Sequence, residues 1–203
     1  MNDVVGGVPV TVTFCPLCNS AIVFERTVGD LVLDFGTSGN LRNSDLVMWD
    51  RQTESWWQQF TGEAIVGRMA GTKLKFLAAS IISWQGFKTH QPGGEVLSKN
   101  TGLGRRYGEN PYVGYDTVDN PPFLFTGDLD GRLQPKERVA AISVDGVDVA
   151  FPFSLLAEEG AVNYQVNGVD VAVFFKFGTN SALGGPVISI SDDIGSTAVF
   201  NAV

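Results

Sequence analysis

The sequence has few basic residues, one histidine and only two cysteines. Its 203 residues include 14 Lys and Arg against 22 Asp and Glu, which gives a net charge of -8 at pH 7. Binding to nucleic acid requires basic side chains that neutralise phosphates, and attraction to anionic lipid requires the same charges. We therefore expect no nucleic-acid partner and no attraction to an anionic membrane surface.

Long apolar runs and export signals are also missing. No stretch approaches the roughly 20 apolar residues that a membrane-spanning helix needs, so we expect no membrane insertion by this chain. Residues 1–7 show neither the basic nor the apolar region of a signal peptide. The chain is therefore either cytoplasmic or lacks its true start. Two cysteines are too few for a disulfide scaffold of this length, so they need a chemical explanation or form one bridge.

What the sequence does contain is glycine in turn dipeptides between short runs of β-branched and aromatic residues. Pairs such as Asp145-Gly146 and Asn167-Gly168 supply the positive φ angles of two-residue hairpin turns. Strands are predicted at residues 8–14, 21–25, 31–35, 46–50, 56–60, 139–144, 147–151 and 169–173. Short helices are predicted at 84–90, capped by Ser83, and at 153–159 before Gly160. The predicted fold class is mainly β with a few short helices.

The two halves of the chain repeat. Adding 161 to the residue number carries Val8, Val10 and Val12 onto valines and Phe14 onto Phe175. The sequence therefore predicts two related β units, at 1–97 and 136–203, joined by a Gly-, Pro- and Tyr-rich loop at 98–135. Both units are expected to be incomplete, because the first starts late in the shared pattern and the second stops early. Open strand edges favour pairing with neighbouring molecules, which predicts a homo-oligomer.

Several motifs together resemble a known family. They are Cys-Pro-Leu-Cys-Asn-Ser at 15–20, Asp-Arg-Gln-Thr-Glu-Ser-Trp-Trp at 50–57 and Tyr-Gly-Glu-Asn-Pro-Tyr at 107–112. The chain is similar over nearly its whole length to the prokaryotic family called domain of unknown function 3179. The family name implies no established activity. The resemblance also implies a secreted or lipid-anchored protein.

The pair Cys15 and Cys18 is the sharpest chemical feature. A Cys-x-x-Cys turn between two predicted strands, with Pro16 fixing φ and Asn19 suited to a left-handed conformation, is typical of a metal-binding knuckle. Two thiolates favour zinc, copper(I) or an iron-sulfur cluster. A closed zinc site needs four ligands, and the single His90 is the candidate third one, so that a carboxylate, a second chain or a partly open copper site would have to make up the number. The helix that His90 ends is expected to place Trp84 and Phe87 against the core.

Two other interpretations of the cysteines stay open. One is reversible disulfide chemistry, although the strand predicted after the motif gives no helix N-terminus to lower a thiol pKa. The other is a purely structural pair, although Lys176 and Thr179 occupy the corresponding places in the second half. Copper or zinc binding, with a role in binding or delivery rather than turnover, is our first hypothesis. A structural or assembly module and a thiol-disulfide protein are the alternatives, and the small-molecule ligand, if one exists, is unknown.

A second group of residues suggests a ligand pocket. Asp50, Arg51 and Glu54 lie close to Trp56 and Trp57 and could form a polar pocket with aromatic walls for a sugar or another small ligand. However, neighbouring residues of a strand point to opposite faces, so we expect one of the two tryptophans to lie in the core.

Overall fold

The computed structural model describes residues 1–202, and most of its regular structure is β-strand, as the sequence predicts. The chain forms two units. The first comprises Met1–Ala79 and Pro121–Asp130, and the second comprises Ser80–Asn120 and the chain from Gly131 to the end of the described residues. In the described part of the chain, no helix is both long and apolar enough to cross a bilayer.

The first unit is built from ten strands in three antiparallel sheets. The strands are β1 (Asn2–Val5), β2 (Val8–Cys15), β3 (Ser20–Glu25), β4 (Thr27–Val28), β5 (Leu31–Val32), β6 (Phe35–Arg42), β7 (Asp45–Asp50), β8 (Trp56–Gln58), β9 (Glu63–Val66) and β10 (Lys75–Leu77). One sheet has the order β1-β2-β3-β10, a second has the order β6-β7-β8-β9, and β4 pairs with β5. Consecutive strands pair because short turns return the chain directly onto its neighbour.

The core of this unit contains large apolar side chains from both four-stranded sheets. Trp57 is fully buried while Trp56 is 38% exposed, so the expected division between the two tryptophans is confirmed. The Phe35 and Trp57 rings meet edge to face, with centroids 5.6 Å apart. The other buried members are Phe24, Leu33, Met48, Ala64 and Leu74. This packing fixes the two sheets against each other and so positions the turns at their ends.

The second unit contains both helices. Its elements are α1 (Trp84–His90), β11 (Val139–Val144), β12 (Val147–Pro152), α2 (Phe153–Glu159), β13 (Ala161–Val166), β14 (Val169–Lys176), a 3-10 turn (Ile188–Ile190) and β15 (Ser196–Asn201). The strands form the hairpin β11-β12 and the antiparallel sheet β13-β14-β15. The core joins α2 to both sheets through Ala140, Phe151, Leu156, Val166, Val171 and Val173.

Both predicted helices are confirmed with the predicted bounds. The Ser83 side chain accepts a hydrogen bond from the Gly86 amide at 3.0 Å, as an N-cap does. Gly160 ends α2 with a φ of 72°, a conformation that glycine adopts without strain. The expectation that Trp84 faces the core is wrong, because this side chain is 55% exposed and stacks on the partly exposed Phe87.

The predicted strand at 31–35 is interrupted, and its interruption has a physical cause. Leu33 leaves the strand and enters the core, where it is fully buried. Arg26 donates hydrogen bonds to the Leu33 carbonyl and to Asp34, at 3.0 and 2.6 Å. Burial of one leucine and a local charged hydrogen bond therefore outweigh continued strand pairing at this point.

The hairpins β1-β2 and β13-β14 have the same register under the shift of 161 residues. Asn2 pairs with Thr11, and Asn163 pairs with Ala172; Val5 pairs with Val8, and Val166 pairs with Val169. The strands that follow differ, because β2 is joined through a tight turn to β3, whereas the partner of β14 is the more distant β15. The structural correspondence between the two halves therefore covers one hairpin of each. The duplication of a whole β unit stays a prediction.

Candidate metal centre

The turn between β2 and β3 brings the two cysteine sulfurs together. Cys15 is the last residue of β2 and pairs with Ser20, the first residue of β3. Asn19 has a φ of 47°, and its amide donates to the Pro16 carbonyl at 3.3 Å. The turn is therefore tight, and it places Cys15 Sγ and Cys18 Sγ 3.2 Å apart as free thiols. The left-handed Asn19 and the convergence of the sulfurs confirm what the sequence predicts for this turn.

A second hairpin contributes a carboxylate to the same place. Asn43 and Ser44, with φ angles of 50° and 67°, form a two-residue turn between β6 and β7. The turn places the Ser44 carbonyl 3.5 Å from Cys18 Sγ. Asp45, which follows, has its Oδ1 3.2 Å from the same sulfur and accepts the Phe60 amide hydrogen on Oδ2 at 2.9 Å. One oxygen of Asp45 therefore fixes the side chain, and the other faces the cysteines.

Gln59 links the β2-β3 hairpin to the β6-β7 hairpin through hydrogen bonds. Its side chain is fully buried. Gln59 Nε2 donates to Thr13 Oγ1 at 3.0 Å and to the Ser20 carbonyl at 3.3 Å, and its Oε1 accepts from Ser20 Oγ at 2.9 Å. The Gln59 amide also donates to the Leu46 carbonyl at 2.9 Å. Because each polar atom of this side chain has a partner, the cysteine turn is held firmly against the strand that carries Asp45.

The pKa values of the two thiols are shifted in opposite directions. The hydrogen bond from the Cys18 thiol, helped by the backbone amides of Cys18 and Leu46, lowers the pKa of Cys15 to about 7, against the opposing effects of burial and the Asp45 charge. The same bond to Cys15 raises the pKa of Cys18, and burial and the negative charges of Cys15 and Asp45 add to this effect. The site therefore favours one thiolate, on Cys15, and one retained proton, on Cys18.

Titration of the reduced, metal-free protein tests this division. Because a lowered pKa favours the thiolate, the ultraviolet absorbance of one thiolate is expected to rise with a midpoint near pH 7. In a Cys18→Ala variant the Cys15 thiolate loses the donated hydrogen bond, so the midpoint should move upward, toward the ordinary thiol value of about 8.5. A midpoint that is the same in both proteins would contradict the hydrogen-bonded pair.

The residues that the sequence singled out lie in different places. Cys15, Cys18 and Asp45 form one group, whose ligand atoms all lie within 4.8 Å of one another. His90 is not part of this group; it is exposed on α1 in the other unit, with Nδ1 2.9 Å from the Gly86 carbonyl. Its role as a ligand stays a prediction. Sequence reasoning missed Asp45, although the Asn43-Ser44 pair before a β-prone run is a usable hairpin signal.

Of the suggested pocket, Asp50 and Trp57 are part of the core, while Arg51, Glu54 and Trp56 are exposed. Asp50 is fully buried and accepts hydrogen bonds from Trp57 Nε1 at 2.9 Å and Thr53 Oγ1 at 2.7 Å. Arg51 lies over the Trp49 ring, 5.2 Å from its centroid. The Asp50 carboxylate and the Trp57 indole are therefore hydrogen-bonded to each other inside the protein, and neither side chain lines an open pocket.

The fold and the site define a mainly β protein in which two thiols and one carboxylate converge beside a tight turn. This chain belongs to the family of proteins of unknown function DUF3179, whose family model matches residues 1–202. The family that the motifs indicated is thus confirmed. Comparison with curated proteins and with solved structures gave no match.

Proposed function

We propose that this protein binds a soft metal ion, zinc or copper(I), through Cys15, Cys18 and Asp45. The observation that carries the proposal is the convergence of two sulfurs and one carboxylate oxygen within 4.8 Å, from two separate hairpins. Cys15 and Asp45 are buried, and Cys18 is partly exposed. The group is therefore shielded from water on the Cys15 side and accessible from the Cys18 side.

Charge supports the same proposal. Full ionisation would place three negative groups together in a largely buried site, at a high cost in free energy. The metal-free protein avoids this cost by keeping the proton on Cys18, whose pKa is raised. A bound cation would take the place of that proton and neutralise the thiolates, so metal binding would release protons. Tetrahedral zinc with bonds of about 2.3 Å needs its sulfurs about 3.8 Å apart, so the sulfurs would have to separate slightly.

The donor set favours zinc over copper(I). Zinc binds cysteine, histidine and carboxylate ligands, whereas copper(I) prefers sulfur alone. Three protein ligands leave a fourth position, as in zinc sites that also bind a water or an exchangeable ligand. Ser44, whose carbonyl lies 3.5 Å from Cys18 Sγ, has a buried hydroxyl that lacks a hydrogen-bond partner among residues 1–202.

Metal titration of the full chain tests the proposal. We expect one equivalent of zinc to bind in competition with a chromophoric chelator. A Cys15→Ser and Cys18→Ser double variant should bind at least about 100-fold more weakly, since it lacks both soft ligands. Asp45→Asn should weaken binding about tenfold, equivalent to roughly 1.4 kcal/mol. It should still fold, because an asparagine oxygen can accept the Phe60 amide. Asp30→Asn, at an exposed carboxylate of the same unit, is the matched control and should change nothing.

The metal identity and the cellular location belong to the same proposal. If Asp45 is a zinc ligand, the binding of copper(I), titrated under reducing conditions, should respond less to Asp45→Asn than the binding of zinc, because copper(I) is held mainly by the two thiolates. We also propose that the protein works outside the cytoplasm, on the strength of the family resemblance. Equal metal content in the wild type and in the double cysteine variant would overturn metal binding through these residues.

Reversible disulfide chemistry is the second candidate function. It is favoured by the Sγ–Sγ distance of 3.2 Å, which leaves the sulfurs close but unbonded. Formation of a Cys15–Cys18 bond would remove two electrons and two protons from the thiols, with oxidised glutathione as the acceptor. Rapid formation of this disulfide in a chain that binds no metal would support the second candidate over the first.

A further inference from the structure

The β1-β2 hairpin carries an exposed apolar face. We define the hairpin face as Val5, Val8, Val12 and Phe14, four exposed apolar residues that share one side of the two paired strands with Asp3 and the buried Val10. Val5 is 62% exposed and Val12 is 37% exposed. The opposite side of β2 carries Thr11, Thr13 and Cys15, which are buried. At Val8, Val12 and Phe14 the strand therefore exposes apolar side chains, while its threonines face inward, the reverse of the usual pattern.

The corresponding face of the second unit is covered. The shift of 161 residues carries the hairpin face onto Val166, Val169, Val173 and Phe175, with identical residue types. The two hairpins also have the same register. In the second unit, however, Val166 is 1% exposed and Val173 is fully buried. Val166 and Val173 are thus buried in the second unit, and Val169 and Phe175 are partly buried, whereas their four counterparts in the first unit are exposed.

The cover in the second unit is the segment that forms β11, β12 and α2. Leu156 of α2 and Phe151 of β12 belong to the same buried cluster as Val166 and Val173. Phe153 meets the Phe175 ring edge to face, with centroids 5.7 Å apart. The Phe175 amide also donates to the Gly160 carbonyl at the end of α2, at 2.8 Å. The cover thus combines apolar packing with a main-chain hydrogen bond to the strand.

We propose that the hairpin face is a docking site for a polypeptide segment built like Val139–Glu159, a β-hairpin followed by a two-turn helix with aromatic and leucine side chains on one side. The four residue types of the hairpin face recur, in an identical register, on the surface that this chain already packs in its second unit, while Asp3 stands where that unit has Tyr164. Burial of the four side chains would supply the main driving force. The docking site is separate from the cysteine site, which lies on the opposite side of the sheet.

A synthetic peptide of residues 138–161 tests the proposal on the full chain. We expect the labelled peptide to bind one site per chain by fluorescence anisotropy. Val5→Asp in the full chain should weaken binding by at least about tenfold, since it places a charge in the buried contact. Val4→Asp is the matched control, because Val4 is 56% exposed on the neighbouring position of the same strand but faces the other side. A peptide carrying Leu156→Asp should not bind.

A second test, in which the peptide is fused to the full chain, does not depend on the free peptide folding. Residue 162 corresponds to Met1 under the shift, so joining residues 138–161 directly ahead of Met1 reproduces the spacing of the second unit. This chain should have a higher melting temperature and bind less of an apolar dye, and Val5→Asp should abolish both effects. No peptide binding together with no change in the fused chain would overturn the proposal. Equal effects of Val4→Asp and Val5→Asp, or a dimer of the unmodified chain that Val5→Asp dissociates, would overturn it also.

Discussion

Replacement of Trp57 with alanine is expected to lower the free energy of unfolding of the first unit by about 4 kcal/mol. The indole is fully buried between the two sheets, where it contacts the Phe35 ring and donates to Asp50. Its removal would leave a cavity and an acceptor without its donor. Both effects act in the same direction, and the cavity contributes most of the loss.

The measurement is urea-induced unfolding of the full chain, with a probe in the first unit. Trp56→Ala is the matched control, because Trp56 is the preceding residue of the same strand and is 38% exposed. Its loss should cost about 1 kcal/mol or less. Trp57→Phe should cost about 1 to 2 kcal/mol, since it keeps most of the ring volume and removes the hydrogen bond to Asp50. Similar losses for the two alanine variants would mean that Trp57 is not at the centre of this core.

The sequence predicts those parts of the fold that depend on nearby residues. Both short helices were predicted with the correct bounds, because Ser83 and Gly160 mark helix ends through interactions within one or two turns. The hairpin turns at Asp145-Gly146 and Asn167-Gly168 are likewise local, and each joins two paired strands in the structure. Such features need no knowledge of the rest of the chain.

Features that depend on distant residues were missed. Strand β10 pairs with β3 across about fifty residues, and its three residues carry too short a pattern to predict. Asp45 reaches the cysteines only because the sheet containing β7 packs beside the cysteine turn, with Gln59 as the link. Cys15 and Cys18 were found because their spacing alone brings the sulfurs together. A carboxylate thirty residues away in the sequence has no comparable spacing to reveal it.

Replacement of Asp50 is expected to have the second largest effect on stability. Its buried carboxylate accepts hydrogen bonds from the Thr53 backbone amide and hydroxyl and from Trp57 Nε1. Asp50→Ala would leave the Trp57 indole and the Thr53 amide without their acceptor, whereas the Thr53 hydroxyl still has Ser55 Oγ as a partner at 2.7 Å. Each unsatisfied buried donor costs about 1 to 3 kcal/mol, and partial relaxation lowers the sum, so we expect a total loss of about 3 kcal/mol.

Asp50→Asn separates hydrogen bonding from side-chain volume. Asparagine keeps one oxygen acceptor but turns an amide group toward one of the donors, so its effect should fall between those of the wild type and the alanine variant. A double-mutant cycle of Asp50→Ala with Trp57→Phe should give a coupling energy of about 1 kcal/mol, because either change alone breaks the shared hydrogen bond. Additive losses would show that this bond contributes little. The other contacts of the two side chains would then account for the stability of this part of the core.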